Sequence, residues 1–244
     1  MVACRLIIDQ AAPGVRNMAV DEALLMSAAE HQQPTLRFYM WRPATLSLGY
    51  FQCQSDRQLH SASNGCDVVR RASGGGAILH DGELTYCFAT PSRNRFRGAE
   101  RFYQAFHESL VEVLSEAGIV AQLHQESEGI NEHAFLCFQR RASGDVILGG
   151  HKIGGSAQRR WRSALVQHGS ILLEKSEFAP ELPGLRDLGN IAAPIDWLVQ
   201  AWTARLGRRL KFSFQRGELS DKERINEARL AREKFACASW TARR

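Results

Sequence analysis

Arg70-Arg71-Ala72-Ser73-Gly74-Gly75-Gly76-Ala77-Ile78-Leu79-His80-Asp81 decides how the rest of this chain is read. Three successive glycines remove every side chain at one point, so another molecule can lie against the backbone there. Two arginines precede the run and an apolar stretch follows it. That arrangement suits a ligand with a polar or phosphorylated head and an apolar body. Arg70 and Arg71 occupy successive strand positions and point to opposite faces, so one of them is expected to face the ligand. Working outward, residues 66–71 read as a strand that delivers the chain into the glycines. Residues 77–79 and 84–89 read as strands on either side of the turn His80-Asp81-Gly82-Glu83.

Upstream, residues 6–8, 35–41 and 45–50 are predicted strands. Residues 17–29 are a helix with Met18, Leu24 and Leu25 on its apolar stripe and Asp21 and Glu22 in its first turns. Downstream, residues 99–117 carry Phe102, Phe106, Leu110, Val113 and Leu114 at helical spacing, ended by Gly118. Residues 119–123 and 165–173 are predicted strands. Residues 145–148 and 152–157 form a hairpin across Gly149-Gly150, and residues 195–206 and 222–235 are late helices. Hairpins interleaved with helices imply an α+β fold, with a mixed, largely antiparallel sheet flanked by helices. The stretch 180–195 is the expected boundary, leaving a main domain over 1–185 and a small helical cap over 186–244.

The bulk numbers fit one folded unit of this size. The chain has 244 residues, 44% hydrophobic and 23% charged. A net charge of +5 favours acidic partners by steering but is too small to carry nucleic-acid binding. No stretch approaches the roughly 20 apolar residues of a membrane span, and residues 1–9 lack the apolar centre of a signal peptide. The six cysteines (4, 53, 66, 87, 137 and 237) form no C-x-x-C pair. Neither a metal cluster nor a disulfide framework is expected, and a reducing cytoplasmic setting is. There is no G-x-x-x-x-G-K-[ST] phosphate loop, no G-x-G-x-x-G and no nucleophile elbow.

Reactive groups come from a second segment: Cys137, then Gly149-Gly150-His151-Lys152-Ile153-Gly154-Gly155-Ser156-Ala157-Gln158. A thiolate beside a cation is a good nucleophile, and an acyl thioester could pass through it to an amine. The hairpin could fold Lys152 back onto Cys137, where it would lower the thiol's pKa and shuttle protons. Backbone N–H groups near Lys152 and Ser156 could hold an oxyanion. Other readings stay open: Cys137 as a buried hydrophobe, Lys152 as a solvated strand residue, His80 as a turn residue bonded to backbone, and His168 as a satisfied core histidine. Arg159, Arg160 and Arg162 read as a solvated basic loop, with partner docking as the alternative. The deciding geometry is a sulfur-to-ammonium separation within about 5 Å at one end of an apolar slot.

These residues resemble the biotin/lipoate protein ligase and lipoyl/octanoyltransferase family. Residues 70–81 match Arg-Arg-x-Ser-Gly-Gly-Gly-Ala-x-x-His-Asp. Residues 150–158 match the signature holding the family's one indispensable lysine. Gln167-His168-Gly169-Ser170-Ile171-Leu172-Leu173 matches a third signature, and residues 17–25 are similar to the first helix. The resemblance spans residues 5 to 175 and implies an acyl chain buried beside the glycine loop. It implies Cys137 and Lys152 as catalytic. Arg70, Arg71, Ser73, Gly74, Gly75, Gly76, His80, Gly155, Ser156, Ala157, His168 and Gly169 are then expected to bind substrate, and no metal is.

Cys137-Phe138 and Glu83-Leu84-Thr85-Tyr86 are similar to one octanoyltransferase class. That class takes octanoyl from acyl carrier protein onto cysteine and passes it to a lipoyl-domain lysine, as in the glycine-cleavage H protein or a 2-oxoacid dehydrogenase E2, without a cofactor. The triple glycine is more similar to ligases, which use ATP and Mg2+ to activate lipoate. A non-catalytic sensor of lipoyl or acyl-adenylate is the third reading. A cytoplasmic monomer without nucleic-acid or membrane partners is expected.

Overall fold

A computed structural model describes residues 1–92, 99–125, 131, 133–189 and 194–243. Strands β1 (Val2–Ile8), β2 (Thr35–Tyr39), β3 (Thr45–Leu48), β4 (Asp67–Arg70), β5 (Ile78–His80), β6 (Glu83–Pro91), β7 (Ala121–Leu123), β8 (Val146–Leu148), β9 (His151–Trp161), β10 (Ala164–Leu172) and β11 (Phe212–Arg216) form two sheets. The larger has the order β11-β1-β2-β6-β10-β9-β8-β7; the smaller is β4-β3-β5. Only β11-β1-β2 pair parallel within the large sheet, so it is mixed and largely antiparallel, as expected.

Strand alternation builds two cores. Leu6, Phe38, Tyr86, Phe88 and Leu165 face one side, where helices α2 (Ala99–Glu116) and α4 (Ile195–Leu210) cover them with Phe106 and Trp202. Their neighbours Ile7, Tyr39, Cys87, Ala89 and Val166 face the other side, under α1 (Gly14–His31). With helices on both faces, eight of the nine residues of β6 are buried. A third apolar cluster, with Leu46, Leu48, Leu79, Leu136, Phe138 and Leu172, fills the space behind the small sheet. No helix among the described residues is long and apolar enough to cross a membrane.

The C-terminal segment departs from a purely helical extension. After the short α3 (Leu185–Gly189), α4 puts fully buried Trp202 into the first core, and its indole donates to the Phe106 carbonyl and Ser109. The strand β11 then joins the edge of the large sheet beside β1. Helix α5 (Asp221–Leu230) lies along α1, and α6 (Ala238–Thr241) reaches the small sheet at β4. Residues 190–193 of the expected boundary lie outside the described residues. Arg159 to Trp161 also differ from expectation: they continue β9 and are not a loop, because β9 pairs with β10 through Trp161.

Candidate active site

The hairpin β8–β9 turns through Gly149-Gly150 with φ of 54° and 79°. Both central residues need the left-handed region in this turn type, and glycine supplies it without strain. The register sets Ile147 opposite Lys152 and carries the lysine inward. Cys137 arrives from elsewhere. Its chain pairs with the end of the glycine loop: Ala77 N–H donates to the Phe135 carbonyl at 3.0 Å, and Cys137 N–H to the Ala77 carbonyl at 2.7 Å. Leu136 and Phe138, on either side, are buried in the third core and clamp the turn.

Lys152 Nζ lies 3.8 Å from Cys137 Sγ and 3.4 Å from the Cys137 carbonyl oxygen. The expected sulfur–ammonium contact is therefore present. Asp145, at the start of the hairpin, holds the same ammonium at 2.7 Å, and both side chains are buried. Burial pulls the lysine's pKa down, but the Cys137 thiolate and the Asp145 carboxylate outweigh it and leave Lys152 above its ordinary value, firmly cationic. The carboxylate is positioned in turn by Ala142 N–H at 2.7 Å and Tyr103 OH at 3.2 Å. Gly155 makes room for this group, since a Cβ there would lie 2.7 Å from Lys152 Cε. Other thiols differ. Burial pushes Cys4 up to about 12 and raises Cys87 well above the usual thiol range, whereas Cys137 is half-buried and lines a cavity.

That cavity is predominantly apolar. Cys137 and Phe138 stand at one side; Met18, Trp41 and Ile78 supply apolar wall. Of the residues expected to bind substrate, Arg71, Gly74, Gly75, His80, Gly155, Ser156, Ala157, His168 and Gly169 line it. Three do not. Arg70 turns to the opposite side of its strand, where its guanidinium donates to the carbonyls of Gly49, Gln52 and Thr241. Gly76 is not among the lining residues; its carbonyl is bonded by Arg71, and a Cβ there would lie 3.0 Å from Cys137 N. Ser73 lines a smaller adjoining recess and bonds His168.

Arg71 is the arginine of the pair that stays at the cavity. It holds the loop through the carbonyls of Ser47, Gly74 and Gly76, while its Nε–H has no partner among the described residues. Gly75, with φ of 93°, closes that loop. His80 is a strand-end residue and not a turn residue. It stacks on Trp41 with ring centres 3.7 Å apart and bonds Glu83 at 2.5 Å and Ser47 at 2.7 Å. Burial lowers its pKa, with Glu83 opposing.

Sequence reading missed Asp145, Tyr103, His107 and the role of Asp21. Asp145 stands as a lone acid before Val146-Ile147-Leu148, opposite the lysine's strand, and that was the available signal. His107 comes from α2, bonded to the Gly144 carbonyl at 2.6 Å and Ser156 at 3.0 Å. Burial holds its pKa down to about 4. Among the described residues no group of three His, Cys, Asp or Glu is placed to hold a metal ion.

Residues 13–179 match the model of the lipoyl protein ligase A/B catalytic domain. The octanoyltransferase LipM of Symbiobacterium thermophilum is 30% identical over 98% of both chains. The LipM of Clostridioides difficile is 38% identical over 70% of this chain and 65% of its own length. Among solved structures, one from a structural analysis of an archaeal lipoylation system, a bipartite lipoate protein ligase and its E2 lipoyl domain from Thermoplasma acidophilum, superposes with a TM-score of 0.80 at 21% identity, covering 99% of this chain and 97% of the other. Octanoyltransferases and ligases thus share this fold, and the chain belongs to the lipoyl protein ligase A/B catalytic domain family.

Proposed function

We propose that the protein transfers octanoyl groups from acyl carrier protein to the lysine of lipoyl domains through a thioester on Cys137. The contact of Cys137 with a lysine that its own surroundings keep cationic carries this reading. In the first half-reaction, the Cys137 thiolate attacks the donor thioester carbonyl. The tetrahedral intermediate collapses with loss of the carrier thiolate, and Lys152 offsets negative charge on sulfur throughout. In the second half-reaction, the acceptor amine attacks octanoyl-Cys137, a C–N bond forms and the Cys137 thiolate leaves. The apolar cavity takes the acyl chain. Arg71 lines its wall and fixes the glycine loop beside it. The full-length relatives named octanoyltransferase LipM support the same reading.

The ATP-dependent ligase reading would have an arginine meet the adenylate phosphate. Arg70 is turned away from the cavity, and the terminal nitrogens of Arg71 are engaged by backbone carbonyls. Incubation with octanoyl carrier protein and intact-mass analysis tests the proposal. Wild type should gain one octanoyl group, which maps to Cys137, and Cys137→Ala should gain none. Lipoate-dependent pyrophosphate release that persists in Cys137→Ala would establish the ligase instead.

A further inference from the structure

The cavity has a second group of reactive side chains that the steps above leave without a task. His168, on β10, lines both the acyl cavity and the adjoining recess. Its Nε2 is hydrogen-bonded to Ser73 Oγ, and its Nδ1 lies 3.3 Å from Asp21 Oδ2. Asp21 is anchored from behind, since Tyr39 OH donates to Oδ2 at 2.8 Å and Arg37 Nη1 to Oδ1 at 3.0 Å. Ser73, Asp21, Arg37 and Tyr39 are all buried, so the geometry is fixed. A carboxylate at Nδ1 favours the tautomer with its proton there. It leaves the Nε2 lone pair as a base toward which Ser73 OH donates.

Stoichiometry gives a second reason. The acceptor lysine arrives as an ammonium and gives up two protons on its way to the amide, the first before it can attack the thioester. Lys152 is closed in an ion pair with Asp145 and stays charged, so it can steady the departing thiolate but has no lone pair to accept that proton. The glycine loop links the two groups. Ser73 at its start meets His168, and Ala77 at its end holds the backbone of Cys137.

We infer that Ser73, His168 and Asp21 form the proton relay of the second half-reaction, taking at His168 Nε2 the proton that frees the attacking amine from its ammonium form while Cys137 and Lys152 handle the sulfur. This rests on the octanoyltransferase reading. The ammonium of the acceptor lysine gives one proton to Nε2, directly or through Ser73 Oγ, and the freed amine nitrogen bonds to the carbonyl carbon. Its second proton leaves to solvent as the C–S bond breaks, the thiolate returns to its pairing with Lys152, and His168 then gives its own proton to solvent. Asp21 is a positioning residue; His168 is the catalytic one.

The test starts from enzyme loaded with octanoyl on Cys137 and compares release to a lipoyl-domain lysine with release to hydroxylamine, which is neutral at pH 7 and needs no base to generate its nucleophile. His168→Gln should lower the ratio of lysine transfer to hydroxylamine release roughly a hundredfold, within the range of general-base effects. Ser73→Ala, a milder change on the loop, should lower the same ratio and decides the matter if His168→Gln does not fold. An unchanged ratio in the folded variants, whatever their absolute rates, overturns the relay. Absence of any octanoyl-Cys137 in wild type overturns both the relay and the transferase reading, and is recognised before a variant is made.

Discussion

The two ends of the glycine loop each lead to a buried carboxylate beside a nitrogen base, yet the two carboxylates are occupied differently. At the Cys137 end, Asp145 meets Lys152 at 2.7 Å and helps to keep the ammonium charged. At the His168 end, Asp21 already holds the Arg37 guanidinium and the Tyr39 hydroxyl, and meets the imidazole more loosely at 3.3 Å. The first carboxylate is committed to a cation, whereas the second is shared among several partners and orients an imidazole. Burial alone therefore says little about what a carboxylate does; its partners decide it.

Replacing the permanent cation should have the largest effect. Lys152→Met is expected to slow formation of octanoyl-Cys137 by about a thousandfold, roughly 4 kcal/mol. It also leaves Asp145 buried without its cation, which destabilises the fold. Adding Asp145→Asn should restore stability and leave the rate low. If the double variant also recovers the rate, the two ends do not differ as described.

His107 offers a neutral base within the Lys152 end. Its folded pKa of about 4 lies below the 6.5 of a free imidazole. Between those values the unfolded chain binds more protons, so stability is full above about pH 6.5 and is lost as pH falls toward 4. The loss is on the order of 3 kcal/mol. Urea denaturation across this window should show the slope, and His107→Gln should flatten it.

Gly155→Ala probes spacing rather than charge. The added methyl would press on Lys152 Cε and shift the ammonium away from sulfur. Octanoyl-Cys137 formation should fall about a hundredfold, roughly 2.7 kcal/mol. Alkylation of Cys137 by iodoacetamide at pH 7 should slow in parallel, while the ratio of lysine transfer to hydroxylamine release stays near wild type.

Arg70→Gln should give the smallest effect at the reaction centre, since Arg70 serves neither end. A loss of about 2 kcal/mol of stability is expected, from charge-assisted hydrogen bonds left unmade, with acylation within threefold of wild type. Thermal melts and intact mass would separate the two outcomes.

The strong periodicities were readable from sequence. The helix predicted over 99–117 spans Ala99–Glu116, and the Gly149-Gly150 hairpin turns as its residues require. The lysine–cysteine contact was readable as a possibility set by chain direction. What escaped was long-range. The strand β11 is five residues long, follows α4 directly and pairs with β1 from the other end of the chain, so no local pattern announces it. Asp21 looked like an acid of a helix's first turns. In the structure α1 begins at Gly14, which puts Asp21 two turns in and buried beneath His168. Arg70 and Arg71 were correctly expected to diverge, but only tertiary packing selects which one meets the cavity.

The carbonyl of Thr241 accepts two hydrogen bonds from Arg70, and Trp240 donates back to the Arg70 carbonyl. Three residues before Arg244, the main chain is therefore wired into the arginine that precedes the glycine loop. Trimming those final residues, which surface exposure alone would recommend, withdraws an acceptor from a buried guanidinium. A shortened version of this protein should behave like one with a damaged interior.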